Sequence, residues 1–408
     1  MKPYALLLLT ALPCSAFAET LAFEEARQAM LAANPQLQAA SRSLEAAELR
    51  IRAARAGLYP SLNASASYSR SGTQGLEPGD SYSYGFNGTQ PLFSPSVPAS
   101  VRSAAAARRA AQAAYDRAAS RLSFELKSAF ADSLSAAETV ALSGETLKRR
   151  AENLELIRLK YEAGRENKAA LLETEAALKT AQWQPERYSR NLLSLGGKLN
   201  RRLGRPARAA APGLTLAAPP EPPADFSAFE ARLQNHPSLR AAGAARDSAR
   251  AAVDSAGSAT KPEASANGSY RWSGLDWPEK RSAWSLGAGV TVPLFAGGRL
   301  AANLSAARSS LASAEADLKN AADEVYLAAE EAFLAWREAR SYQDAAKSSL
   351  DAAQARAWLV RKQYLAGQAS YFEWRGVEEQ LISEQNQYLS AGRGLAVAHA
   401  AFLQSIGE

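Results

Sequence analysis

His236 and His399 are the only histidines of this 408-residue sequence, and Cys14 is its only cysteine. A metal centre built on imidazole or thiolate would have to draw on these three side chains, as would a nucleophile backed by a histidine base. Their settings point elsewhere. His236 precedes Pro237 as Asn34 precedes Pro35, the pattern of a helix start. His399 falls in an alanine-rich segment that reads as a final helix. Gly197-Lys198 resembles the end of a phosphate loop, but that loop needs glycine at 192 and a hydroxyl at 199. Both positions are leucine. The sequence therefore predicts no enzyme, no metal and no cofactor. The formal charge of +6 is spread along helical segments among Asp and Glu, with no stacking aromatics interleaved. That is the pattern of solvated helix faces and does not predict a nucleic-acid partner.

The first residues read as an export signal. Lys2 is the only charge before Glu19, residues 5–12 are apolar, and Ala16-Phe17-Ala18 is a small-x-small cleavage site. The apolar run is too short to span a bilayer, which takes about 20 residues. Residues 1–18 are expected to be removed, leaving a mature chain without cysteine. Lipidation of Cys14 is the competing reading, and Pro13 just before it fits that poorly.

The rest of the chain is written twice. Pro35 and Pro237, Pro60 and Pro262, and Pro91 and Pro293 are each 202 residues apart. Tyr161-Glu-Ala-Gly164 and Tyr364-Leu-Ala-Gly367 are 203 apart. A register held over that length with one inserted residue indicates duplication. The expected units are 19–204 and 225–408, joined by a Pro-rich linker over 205–224.

Each unit reads as helix, two strands, long helix, turn, helix. Strands are expected at about 59–71 and 81–92, and again at about 262–274 and 281–294. Tyr82, Tyr84 and Phe86 alternate with Ser, Gly and Asn; Trp272 and Trp284 sit in the same kind of pattern. One face is aromatic and the other small and hydrophilic. In an exported chain this fits an outer-membrane barrel, with Tyr82, Tyr84, Trp272 and Trp284 facing lipid or its interface. Four strands cannot close a barrel, and an open sheet edge is not tolerated in lipid. Several chains must then share one barrel, and three would give twelve strands.

Long helices are expected at about 97–163 and 298–366, each followed by a shorter one at about 167–203 and 370–406. A 67-residue helix is roughly 100 Å long. In the second copy Leu300, Leu304, Ala307, Leu311, Ala314, Leu318, Ala321 and Val325 form a seam stepping by four and three. It continues through Ala328, Ala332, Ala335, Ala339, Tyr342 and Ala346. The first copy is looser, with a later seam through Val140, Leu147, Leu154 and Tyr161. The shorter helices at 36–57 and 167–203 could stack end to end beside the long one, and Pro185 should kink the second. Pro-Leu-Phe at 91 and at 293 is expected to end a strand where the chain leaves the sheet.

With its doubled helix–strand–strand–helix–helix unit, its Pro-Leu-Phe exits, its Asn-Pro and His-Pro helix starts and its Tyr-x-x-Gly turns, the chain resembles the TolC-type outer-membrane efflux family. The resemblance covers essentially residues 19–408. It implies a homotrimer, mostly helical, in which a long α-helical barrel in the periplasm continues into a twelve-stranded β-barrel in outer-membrane lipid. The function implied is the passive exit duct of a tripartite export system, with a periplasmic adaptor and an inner-membrane transporter as partners. A duct for type I protein secretion shares that fold. A periplasmic coiled-coil adaptor is the alternative of another class, and it leaves the doubled aromatic strands unexplained. The resemblance places adaptor contacts at the turns, Gly164-Arg165 and Gly367-Gln368. It also places a periplasmic gate at Tyr364 and Glu373. The gate's second acid position falls on Gly376 here, with Glu378 and Glu379 nearby.

Overall fold

The computed structural model describes residues 20–72, 74, 77–210, 212–278 and 281–408. The expected signal peptide, residues 1–18, and the lipidation site at Cys14 lie outside the described residues.

A strand β1 (Thr20–Ala22) and a short helix α1 (Phe23–Ala33) open the described chain. Then come α2 (Pro35–Ala56), β2 (Ser61–Ser71), β3 (Gly79–Phe93), α3 (Ser96–Glu162) and α4 (Lys168–Arg202). Strand β4 (Gly213–Thr215), a 3-10 turn (Phe226–Phe229) and α5 (Glu230–Leu233) lead into the same order again. Its members are α6 (Pro237–Ser258), β5 (Glu263–Gly274), β6 (Ser282–Thr291), α7 (Arg299–Leu365) and α8 (Tyr371–Ser405). The architecture is mostly helical with a small sheet. No described helix is long and apolar enough to cross a membrane.

The long helices α3 and α7 have 67 residues each, about 100 Å at 1.5 Å per residue. Beside α3, α4 and α2 stack end to end. Asn34 makes the joint: its side chain accepts from the Gln36 amide at 2.9 Å and donates to the Arg202 carbonyl at 3.1 Å. In the second copy His236 takes Asn34's place, its Nδ1 accepting from the Ser238 amide at 3.2 Å. Gly204 and Gly407 stop the arriving helices with φ of +71° and +88°. A Cβ on either would come within 2.9 Å of Ala33 or Pro237, so glycine also permits the close approach. Helix α4 runs through Pro185 as one element.

Helix α3 meets α6 across small residues, Ala99, Ala106 and Ala113 against Ala244, Ala251 and Ser258, all buried. Flanking them is a ladder of ion pairs, Arg102–Asp254 (2.8 Å), Arg109–Asp247 (2.7 Å) and Arg240–Asp116. The rungs are seven residues apart on both helices. Each is half-exposed and contributes about 0.2–1 kcal/mol at most, so the ladder mainly fixes register.

The sheet is antiparallel in the order β2-β3-β5-β6. Its register puts Tyr68 opposite Tyr82, Tyr84 opposite Trp272 and Tyr270 opposite Trp284, so the aromatics share one face. The other face carries Ser, Asn, Thr and Gly, cross-linked by Ser67–Ser83 (2.9 Å) and Ser269–Ser285 (2.8 Å). Every residue of the edge strands β2 and β6 is exposed.

Several expectations need correcting. The α7 seam holds from Leu300 to Val325, and beyond it every other position moves by one residue. Ala332, Ala339 and Ala346 stay on the packed side, but Ala328, Ala335 and Tyr342 are exposed, while Ala329, Phe333 and Trp336 are buried. Two successive steps of four, 325 to 329 to 333, bring the bulky Phe333 and Trp336 into the interior, a stutter that resets the stripe. In α3 the later interior is Ser143, Thr146, Asn153 and Ile157, and Tyr161 is exposed. Pro-Leu-Phe does end the sheet in the second copy, where β6 stops at Thr291. In the first copy β3 runs on to Phe93, and the register shifts between Pro91 and Phe93 against β5. That irregularity accommodates the missing amide of Pro91. Within the expected Pro-rich linker, β4 pairs in parallel with β1, and Glu221 pairs with Arg340 of α7. Neither α1 nor the short turns over 226–233 were foreseen.

Candidate functional site

The chemistry-bearing side chains concentrate at the two helical turns, at the end of the molecule remote from the sheet. Both turns stop a helix in the same way. Gly164 has φ +69° and Gly367 φ +77°, conformations that glycine adopts without strain. The next amides reach back, Arg165 to Lys160 and Gln368 to Gln363, each at 2.8 Å. New helices then start under side-chain caps: Asn167 accepts from the Ala170 amide (2.9 Å) and Ser370 from the Glu373 amide (3.2 Å).

Tyr364 lies at the centre. It is 3 % exposed. Its ring stacks on Trp374 with centroids 4.7 Å apart and planes 5° off parallel. Its hydroxyl donates to Glu166 Oε2 at 2.9 Å, which crosses from the second turn to the first. Lys160 Nζ closes the other side, 3.6 Å over the ring and donating to the Tyr364 carbonyl at 2.9 Å. Burial first, and then the Glu166 carboxylate, push the tyrosine hydroxyl far above its ordinary range. It therefore stays a donor at any physiological pH. One turn deeper, the Tyr371 and Thr174 hydroxyls lie 3.0 Å apart. Arg375 joins Glu173 of α4 (2.5 Å) and Glu379 of its own helix (3.1 Å).

The other anticipated residues fall as follows. Gly164, Arg165, Gly367 and Gln368 are all exposed at the tips. Glu373 is exposed in the first turn of α8, where an acid suits the positive end of the helix dipole. Glu378 is 6 % exposed and Glu379 is held by Arg375. Neither joins Glu373 in an exposed acidic pair. At Gly376 an added Cβ would meet nothing within 4 Å. Tyr82, Tyr84, Trp272 and Trp284 are remote, on the aromatic face of the sheet. There Tyr84 stacks on Trp272 (5.3 Å, 14°), and Trp284 is 75 % exposed.

Lys160, Glu166, Trp374 and Arg375 escaped sequence reasoning. Two signals were present: an acid just beyond Gly164, and a tryptophan ten residues after Tyr364. His399 is buried against Trp336, ring centroids 4.8 Å apart, with Nδ1 3.3 Å from Lys127 Nζ. Burial, and then the Lys127 ammonium, hold it at about 4. Among the described residues no group of acids, histidines or cysteines is arranged to hold a metal ion.

A family model described as "Outer membrane efflux protein" matches residues 26–205 and 229–408. No curated protein matches the chain. Among solved structures, the chain is similar to CusC, with 18 % identity, 94 % of this chain and 91 % of that one covered, and a TM-score of 0.83. A membrane protein from Pseudomonas aeruginosa matches with 21 % identity, coverage of 94 % and 93 %, and a TM-score of 0.81. The open state of the Neisseria gonorrhoeae MtrE outer membrane channel matches with 22 % identity, coverage of 94 % and 88 %, and a TM-score of 0.81.

Proposed function

This chain belongs to the outer membrane efflux protein family, and from that premise we propose that it is the outer-membrane exit duct of a tripartite export system, conducting small molecules passively. Three copies form one channel in this reading, with the helices in the periplasm and the sheets closing a twelve-stranded barrel in lipid.

The observation that carries the reading is the set of contacts between the two copies of the repeat. Within the chain α3 packs on α6, α3 on α8, and β3 on β5. Replacing each element by its repeat twin gives α7 on α2, α7 on α4, and β6 on β2. Among the described residues none of these pairs makes more than a marginal contact within the chain. Their faces stand open: β2 and β6 are bare edges, and Ala302, Ser305, Ser309, Ala312 and Ala316 form an exposed stripe on α7. That stripe is the twin of the α3 positions 99, 102, 106, 109 and 113, which face α6. A neighbouring copy using the same geometry head to tail supplies each missing contact and leaves no sheet edge in lipid.

The turns then point into the periplasm. Arg165 and Gln368, at exposed glycine-stopped tips, are the proposed adaptor contacts; bulky substitutions there should abolish export while assembly persists. Tyr364 ties the turns shut, and three copies of Glu373 around the axis attract cations to the narrowed mouth. Glu373→Lys should shift single-channel selectivity away from cations.

Cross-linking tests the assembly. The Arg109–Asp247 rung inside the chain has Ala312 and Glu45 as its twin between chains. Cysteines at these two positions should be joined by a short thiol cross-linker into a covalent trimer in outer membranes. Extracted wild type should run as a heat-modifiable trimer and conduct in planar bilayers. A monomeric species without conductance, or a chain confined to the soluble periplasm, would contradict the reading.

A further inference from the structure

The hydrophilic face of the sheet is nearly free of charge. Across β2, β3, β5 and β6 its residues are Ser, Asn, Thr, Gly, Ala and Pro91, with two charged exceptions, both on β5. Glu263 sits at the helix end, 3.5 Å from Ser96 Oγ. Arg271 lies eight residues further along the strand, about 26 Å away at 3.3 Å per residue.

Arg271 is exposed and makes no side-chain hydrogen bond or ion pair among the described residues. Its neighbours across the ladder are Gly85 and Ala283, and Ser269 and Ser273 flank it on the same face. None of these four neighbours carries a charge or a bulky side chain. Gly85 is fixed as glycine by close approach: a Cβ would lie 2.3 Å from the Tyr270 carbonyl oxygen and 2.7 Å from Arg271 Cα. The opposite face treats charge differently. Arg70 and Asp80, at its far end, neutralise each other at 3.8 Å.

We propose that Arg271 sets the charge preference of the bore at the sheet end of the duct, favouring anionic solutes there. The inference rests on the trimeric duct proposed above, in which the Ser/Asn face lines the lumen. Twelve strands about 4.8 Å apart, tilted by about 40°, enclose a bore with a backbone radius of roughly 12 Å. Three guanidinium groups projecting into it leave no part of that cross-section much beyond one Debye length, about 8 Å at 0.15 M salt. Low-dielectric walls strengthen the field further. The ring therefore acts on every ion that passes at physiological salt and fades at 1 M, where the Debye length is about 3 Å. An anion-favouring ring at this end and an acidic ring at the turns would give the duct opposite charge preferences at its two ends.

The test is local, so the state of the mouth at the turns does not affect it. Ser269→Cys places a thiol two residues from Arg271 on the same face, in a mature chain expected to hold no other cysteine. Its reaction rates with an anionic and a cationic methanethiosulfonate reagent are compared in the assembled protein, with Arg271 present and with Arg271→Glu. The anionic-to-cationic rate ratio should fall on the order of tenfold in the Arg271→Glu background at 0.05–0.1 M salt. The difference should shrink at 1 M, and Arg271→Gln should fall between. Trp284→Cys, on the aromatic face, should be unreactive in lipid. Equal ratios in all backgrounds, with Ser269→Cys reactive and Trp284→Cys silent, would overturn the filter and leave the duct standing. A reactive Trp284→Cys beside a silent Ser269→Cys would overturn the face assignment, and the duct with it.

Discussion

The turn at Tyr161-Glu-Ala-Gly164 and the turn at Tyr364-Leu-Ala-Gly367 have the same backbone and different chemistry. Both end a 67-residue helix with a left-handed glycine and the same 2.8 Å return hydrogen bond. Yet Tyr161 is 38 % exposed and Tyr364 is 3 % exposed. The difference lies in three side chains. Where the first turn has Lys160, Glu166 and Leu171, the second has Gln363, Ala369 and Trp374 at the twin positions. Tyr364 receives the cation and the acid from the first turn and the stacking ring from α8, the helix that follows its own turn. Its twin Tyr161 would look to Ala369 for an acid and to Leu171 for a ring, and finds neither. On the shared scaffold these exchanges bury one tyrosine between the turns and leave the other on the surface.

Truncation separates the two tyrosines most. Tyr364→Ala removes a buried, stacked ring and should cost about 3–5 kcal/mol. Tyr161→Ala should stay within about 0.5 kcal/mol. Hydrogen exchange of the tip amides measures both, and comparable losses would erase the distinction. Glu166→Gln keeps the shape and removes the charge that receives the hydroxyl; a loss of about 1.5 kcal/mol at the second turn is expected. Arg375→Ala breaks two partly exposed ion pairs one turn deeper, so its effect should be below about 1 kcal/mol and should diminish in high salt. The smallest effect is a gain. Ala369→Glu offers the Tyr161 of a neighbouring copy the acid it lacks, and should add about 0.5 kcal/mol in the trimer and nothing in a dissociated chain.

How far the sequence disclosed this depends on which physical signal each part leaves. The helices and strands announced themselves, because burial on one face forces a period of 3.6 or 2. Leu300 through Val325 showed the helical period, and Tyr82, Tyr84 and Phe86 showed the strand period. Slippage beyond Val325 was hidden because alanine fits a buried or an exposed position equally well. Only Phe333 and Trp336, whose bulk must go inside, settle the stripe. The strand β4 was missed because its three residues leave no periodic trace among prolines. At the turns Tyr364 was legible through the repeat, and its setting was not. Lys160 and Glu166 lie about two hundred residues away in sequence, and nothing local pairs them with it. The α3–α6 ladder was within reach, since Arg102, Arg109 and Asp116 run opposite to Asp254, Asp247 and Arg240 at a spacing of seven.

Paired single-channel recordings of Tyr364→Phe and Tyr161→Phe in planar bilayers test the latch most directly. Each substitution deletes one hydroxyl and leaves its ring, so packing is preserved and only the bond to Glu166 distinguishes them. Tyr364→Phe should raise the resting conductance, and Tyr161→Phe should conduct like wild type. If both behave like wild type, or both open the channel alike, the hydroxyl of Tyr364 does not hold the duct closed.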